Sequence, residues 1–115
     1  MNDQDVFDRV ATHLLTQKRR STNQSISLYR DDRGNKCAIG CLIDDEHYNP
    51  ILEGSSILRN PRVKAAVTAS IGYMPSEVLM AGLQHIHDQV TPKNWAKSLR
   101  DLARSHNLSS KAVDK

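Results

Sequence analysis

The sequence predicts one α+β domain over residues 1–108, mostly helical, with about four main helices and one short strand or hairpin around residues 26–38. Three observations carry that expectation. Apolar residues recur at helical spacing in four separate stretches. One segment, ISLYR (26–30), alternates apolar and polar side chains and is rich in strand-favouring residues. The 115 residues hold no internal repeat and no linker long enough to divide them, and that length fits a single domain with a modest core.

The first helix is expected over 3–19. Val6, Val10 and Leu14 step by four, with Phe7, Ala11 and Leu15 alongside. Asn2 or Asp3 caps its start, and early aspartates with the late Lys18-Arg19-Arg20 suit the helix dipole. STNQS (21–25) reads as a polar loop before the strand. DDRGN (31–35) is turn chemistry, with Gly34 free to take positive φ. Residues 37–43 then form either a return strand or a short helix. Asn60-Pro61 supplies a cap and a first helical residue, and Val63, Val67 and Ser70/Ile71 carry that helix to Gly72. Pro75-Ser76 opens the next, in which Leu79, Leu83, Ile86 and Val90 share a face. Thr91-Pro92 repeats the signal before Trp95, Leu99 and Leu102, and the last helix ends near His106-Asn107. SSKAVDK (109–115) reads as a frayed, flexible tail.

Aromatic residues make up 4% of the chain, so the core must be aliphatic, and few rings remain to stack single-stranded bases. No apolar run approaches the roughly 20 residues of a membrane span. The N-terminal MNDQDVFDRV is acidic and lacks an apolar core, which predicts no export signal. With two cysteines, that points to a reduced, cytoplasmic protein. The net charge of +3 is unevenly spread. Residues 37–53 carry four acidic side chains and no basic one, whereas residues 54–115 carry nine basic and four acidic. A pI near 9.0 is compatible with nucleic acid or an anionic ligand without requiring either.

The stretch KCAIGCLIDDEHYNP (36–50) holds both cysteines, spaced by four. On a helix their Cβ atoms would lie about 5–6 Å apart. On a strand they would lie about 13 Å apart. A disulfide needs roughly 3.5–4.5 Å, so a local bond is not expected. Zinc would need four ligands, and Cys37, Cys41 and His47 with His85 or His87 match no common structural zinc spacing. A thiol nucleophile with His87 as base and Asp88 as orienter has the right residue types. A reactive thiol, however, needs an electropositive, partly exposed setting. The neighbours here are Ala38, Ile39, Leu42 and Ile43, and then acids. The favoured reading is that both cysteines are small core residues leading into an acidic turn.

Two further groups carry charge or polarity in a pattern. Lys93, Lys97, Arg100 and Arg104 step by four, three and four along the last helix. They form either a phosphate-tracking ridge or a solvated amphipathic face, and the second is favoured. In LQHIHDQ, His85 and His87 are two apart and cannot share a helical face, and His87 leans toward the core. It reads as a half-buried histidine with one hydrogen bond, or as a polar group in a ligand pocket. Tyr29, Arg30, Lys36 and Tyr48 offer hydroxyls and cations near the turn that together would suit an anionic small molecule.

Two blocks, LYRDDRGNKCAIGCLIDDEHYNPILEG and LQHIHDQVTPKNWAKSLRDLARSHNL, carry a pattern: Tyr-Arg, a Gly turn, Cys-Ala-Ile-Gly-Cys-Leu-Ile, Tyr-x-Pro, Glu-Gly, and a later His-Asp with a downstream Trp. In this the chain resembles a family of small bacterial and phage-encoded proteins with no assigned reaction. The resemblance covers most of residues 5–108, and the cysteine-centred block is its most specific part. The matching positions are Tyr29, Arg30, Gly34, Cys37, Gly40, Cys41, Tyr48, Pro50, Glu53, Gly54, His87, Asp88 and Trp95. Asp44 departs from the pattern, where proline is common. The resemblance implies a bacterial or phage origin, often prophage-like, and no particular chemistry.

The expectation is therefore a small non-enzymatic binding protein of phage or prophage type, acting in counter-defence or host modulation in the bacterial cytoplasm. It would sequester a nucleotide-like anionic ligand or occupy a host protein surface. The candidate ligand-binding residues are Tyr29, Arg30, Lys36, Tyr48, Glu53, His87 and Asp88. No cofactor, metal or membrane partner is expected, and a homodimer or higher homo-oligomer is compatible with the modest core. Two rivals remain: a nucleic-acid-binding accessory protein using Lys93, Lys97, Arg100 and Arg104, and a small Cys/His-dependent enzyme.

Overall fold

Asn2 and Asp5 start the first helix by capping each other. The Asn2 side chain accepts from the Asp5 N–H at 2.9 Å, and the Asp5 carboxylate accepts from the Asn2 N–H at 3.1 Å. In the computed structural model, which describes residues 1–23, 26–57 and 59–114, this helix is α1, Asp3–Gln17. It ends two residues before the expected boundary because Lys18 takes a left-handed conformation (φ 57°) and returns its N–H to the Leu14 carbonyl. Arg20 is thereby released from the helix. It donates to the His87 and Val90 carbonyls at 3.0 and 2.8 Å, across the chain.

The hairpin is shorter than expected and sits earlier. Thr22–Asn23 (β1) pairs antiparallel with Ile26–Ser27 (β2), Thr22 opposite Ser27. The polar loop expected over 21–25 is thus partly a strand, and Gln24 and Ser25 lie outside the described residues. The strand expected over 26–30 stops at Ser27, and Arg30 forms only an isolated bridge with Lys36. Between them Asp31 holds the 31–35 turn, its carboxylate accepting from the N–H groups of Arg33 and Asn35 at 2.9 Å each. Gly34 takes positive φ (85°), as its place in that turn requires.

Neither a strand nor an α-helix covers 37–43. The segment tightens into a 3₁₀ turn, Gly40–Leu42, followed by two more at Asp45–His47 and Pro50–Leu52. Gly40 presses on the backbone of Tyr29, so closely that a Cβ would collide with the Tyr29 carbonyl. The chain here is folded onto itself rather than extended.

The remaining helices follow the cap signals. Asn60 accepts from the Arg62 N–H at 2.9 Å and opens α2, Pro61–Ile71, which Gly72 ends in the left-handed region. Ser76 opens α3, Glu77–Gln89. A 3₁₀ turn at Pro92–Asn94 leads into α4, Trp95–Ser105. The result is a mostly helical α+β domain with four α-helices and one two-stranded hairpin among the described residues. No described helix is long and apolar enough to cross a membrane. The core gathers Phe7, Leu14, Ile39, Leu42, Leu83 and Trp95, all fully buried, and α1 packs against both α3 and α4.

The expected flexible tail is corrected over 109–114. Lys111–Asp114 forms a 3₁₀ turn against α1, with Ala112 and Val113 buried. Gln4 exchanges hydrogen bonds with the Ser109 backbone at 2.9 and 2.8 Å, and Arg100 pairs with Asp114 at 2.6 Å. Ala112 and Val113, seven and eight residues past the end of α4, add apolar burial to those polar ties.

Candidate functional site

Four of the expected ligand residues do converge, but on one another. The Glu53 carboxylate accepts from the Tyr29 N–H at 2.8 Å, the Arg30 N–H at 3.1 Å and the Tyr48 hydroxyl at 2.7 Å. Arg30 donates to the Ile43 carbonyl at 2.8 Å, pairs with Asp45 at 2.7 Å, and lies over the Tyr48 ring at 4.5 Å. The Tyr29 hydroxyl donates to the Ser55 carbonyl. Burial, then the hydrogen bond to Glu53, pushes the Tyr48 phenol up to about 12. Burial likewise raises the Tyr29 phenol. This network pins the 3₁₀ turns to the 31–35 turn, and its polar groups are spent internally except Arg30 Nε, which is buried with no partner among the described residues. Lys36 joins the structure through its backbone, donating to Gln17 at 2.9 Å and accepting from His13 at 2.8 Å.

A second hub forms at the end of α3. His87 is fully buried, and its Nε2 lies 2.9 Å from the Ser21 backbone nitrogen. A backbone N–H can only donate, so Nε2 accepts and the proton sits on Nδ1. That Nδ1–H donates to Asp88 Oδ1 at 2.7 Å, and the Trp95 ring stacks on the imidazole at 5.9 Å. The same Asp88 oxygen accepts from Ser27 Oγ at 2.7 Å and Gln84 Nε2 at 2.8 Å. The other end of the Gln84 amide accepts from the Ile39 N–H at 3.1 Å. Partial burial pushes the Asp88 carboxyl upward, but the bonds from His87, Ser27 and Gln84 together outweigh it, and it sits below its ordinary value.

Each cysteine sulfur is bonded within its own turn, Cys37 in the core and Cys41 half-buried with Arg9 and Lys36 acting on it. Cys37 is buried, its sulfur accepting from the Gly40 N–H at 3.2 Å, and Cys41 donates to the Ala38 carbonyl at 3.0 Å. Burial pushes both thiols up to about 12. His87 cannot serve as their base while Ser21 occupies its Nε2. Among the described residues, metal-ligand types converge only at Asp44, Glu46 and His47, on the exposed acidic turn and without either cysteine.

An open groove of about 480 Å³ lies between β2, residues 54–57 and α3. Ile26, Leu28, Ile39 and Ile57 wall it, and Gln84, His85 and Asp88 reach it from α3. Tyr29 and Cys37 also border it, so of the seven candidate residues Tyr29 and Asp88 face this space. Ser27 and Gln84 were missed from sequence. Gln84 stands one helical turn before Asp88, a spacing that would have found it. The Ser21 contact runs through its backbone and leaves no trace in residue type.

The basic ridge is interrupted by acids. Arg100 pairs with Asp114 at 2.6 Å, while Lys97 and Arg104 flank Asp101 at 3.3 and 3.8 Å. Only Lys93 of the four has no carboxylate partner among the described residues.

Comparison with family models, curated proteins and solved structures returns no match.

Proposed function

We propose that this is a small non-enzymatic binding protein whose ligand enters the groove between β2, residues 54–57 and α3. The observation that carries the reading is the groove itself, about 480 Å³ with apolar walls and one oriented carboxylate, Asp88. Apolar clefts with a few converging polar groups are where small ligands bind. The Cys/His87 enzyme is disfavoured, because His87 Nε2 is occupied by the Ser21 N–H and both thiols are pushed up to about 12. Of the two modes expected, sequestering a small ligand is therefore favoured over occupying a host protein surface. The phage or prophage-type, host-modulating role in a bacterial cytoplasm rests on the motif resemblance and is part of the proposal on that footing.

A panel of small metabolites screened by thermal shift tests the reading. A ligand that binds only the native state raises Tm by mass action. Wild type is expected to gain stability with at least one compound, and a groove-filling Ala81→Trp variant to gain none. A gain of equal size in both proteins would move the site elsewhere.

One observation favours a second reading, an anionic nucleotide-like ligand at a different place. Lys18, Arg19, Arg20 and Arg33, with Asp31 and Asp32 beside them, line a depression of about 670 Å³ at the 31–35 turn. Stabilisation by nucleotides that Arg19→Glu removes and Ala81→Trp leaves intact would favour it.

A further inference from the structure

We infer that the groove takes a ligand with an N–H-bearing cationic head, an aliphatic ammonium or guanidinium, on an apolar stem, with the head on the Asp88 carboxylate. This rests on reading the groove as the binding site and names the chemistry that fits it.

Three donors hold Asp88 Oδ1 within 2.8 Å, so the carboxylate is locked in orientation. Among the described residues its other oxygen has no partner, and the side chain keeps 28% of its surface exposed. A carboxylate has roughly four lone-pair sites, so acceptor capacity remains on the groove side. Among the described lining residues there is no lysine or arginine to neutralise an anion. Glu53 and Asp88 both act on the Tyr29 hydroxyl at the groove's edge. Arg30 is turned away onto Ile43 and Asp45. A phosphate placed here would be desolvated beside a carboxylate, which is unfavourable, whereas an ammonium or guanidinium gains a charge-assisted hydrogen bond. Ile26, Leu28, Ile39 and Ile57 supply the surface for a methylene stem.

The test is an amide NMR titration of the full chain at low salt with butylammonium and butylguanidinium, using butanol and butyrate as neutral and anionic controls. The cations are expected to shift the amides of Ser27, Leu28, Gln84 and Asp88 saturably, and butyrate to leave them in place. Gln89 is exposed at the groove rim, so its variants should fold. Gln89→Glu is expected to tighten cation binding about threefold and Gln89→Lys to weaken it by a similar factor. If butanol or butyrate moves the groove amides and the cations do not, the cationic assignment fails while the groove remains a site. If the cations bind but neither Gln89 variant changes their affinity, the assignment also fails. If no probe moves the groove amides, both the assignment and the site fall.

Discussion

Ser21 donates its backbone N–H to Nε2 of the fully buried His87 across 2.9 Å. That bond fixes the imidazole tautomer, aims Nδ1–H at Asp88, and ties the segment after α1 to the end of α3. Truncating the ring would orphan the Ser21 N–H and leave a cavity beside Trp95. His87→Ala is therefore expected to cost about 3 kcal/mol of folding stability, measured by urea unfolding. The Ser21 hydroxyl is buried with no partner among the described residues. Ser21→Ala is accordingly expected to be neutral or to stabilise by up to about 1 kcal/mol. A large loss in Ser21→Ala would mean that the hydroxyl, and not the backbone, makes the contact.

Asp88 gives the protein an acid-sensitive hub. Its carboxyl lies below the ordinary 3.8 in the folded state, so the native fold holds the charged form more tightly than the unfolded chain does. The resulting stabilisation is complete above 3.8 and is lost as pH falls through the folded value. Asp88→Asn should be less stable than wild type at pH 7, and the gap should narrow below about pH 4. Unfolding free energies across pH 2–7 for both proteins check this. A gap that stays constant with pH would show that Asp88 acts by shape alone.

Gly40 and Gly34 should respond differently to alanine. At Gly40 a Cβ would meet the Tyr29 carbonyl, backbone against backbone, with no flexible end to yield. Gly40→Ala is expected to cost about 2–3 kcal/mol. At Gly34 nothing lies within 4 Å of the added atom, and only its positive φ opposes it. Gly34→Ala should cost about 1 kcal/mol, within the range for a left-handed residue. Equal losses at the two positions would remove the argument that Gly40 is there for close approach.

The helices were legible because their signals are local: Asn60-Pro61 and Ser76 satisfy backbone donors within their own turn. The hairpin was less so. A two-residue strand is too short for alternation to mark it, and β2 is anchored by Ser27 reaching Asp88, 61 residues away. Tyr29, Arg30, Tyr48 and Glu53 lie together, each the partner of another, as a network closed on itself. Their direction was not legible. Whether a polar side chain turns toward solvent or toward Glu53 depends on the 3₁₀ turns between them, and those have no periodicity to read. The docked 111–114 turn escaped for the same reason, because Ala112 and Val113 find their partner in α1 at the other end of the chain.

The two thiols supply a direct check on the non-enzymatic reading. With both raised to about 12 by burial, the thiolate fraction at pH 8 is about one in ten thousand. Native protein should react with a thiol reagent far more slowly than urea-unfolded protein, which should label twice. Rapid native labelling of either residue would reopen the Cys/His enzyme.

The groove over Asp88 is proposed to hold a small molecule. Native mass spectrometry of wild type and Ala81→Trp, each purified gently from bacterial cells, tests it most directly. Wild type is expected to carry a small-molecule adduct that the groove-filled variant lacks. An adduct retained at full occupancy by the variant, or wild type found at its bare mass under every condition, would contradict it.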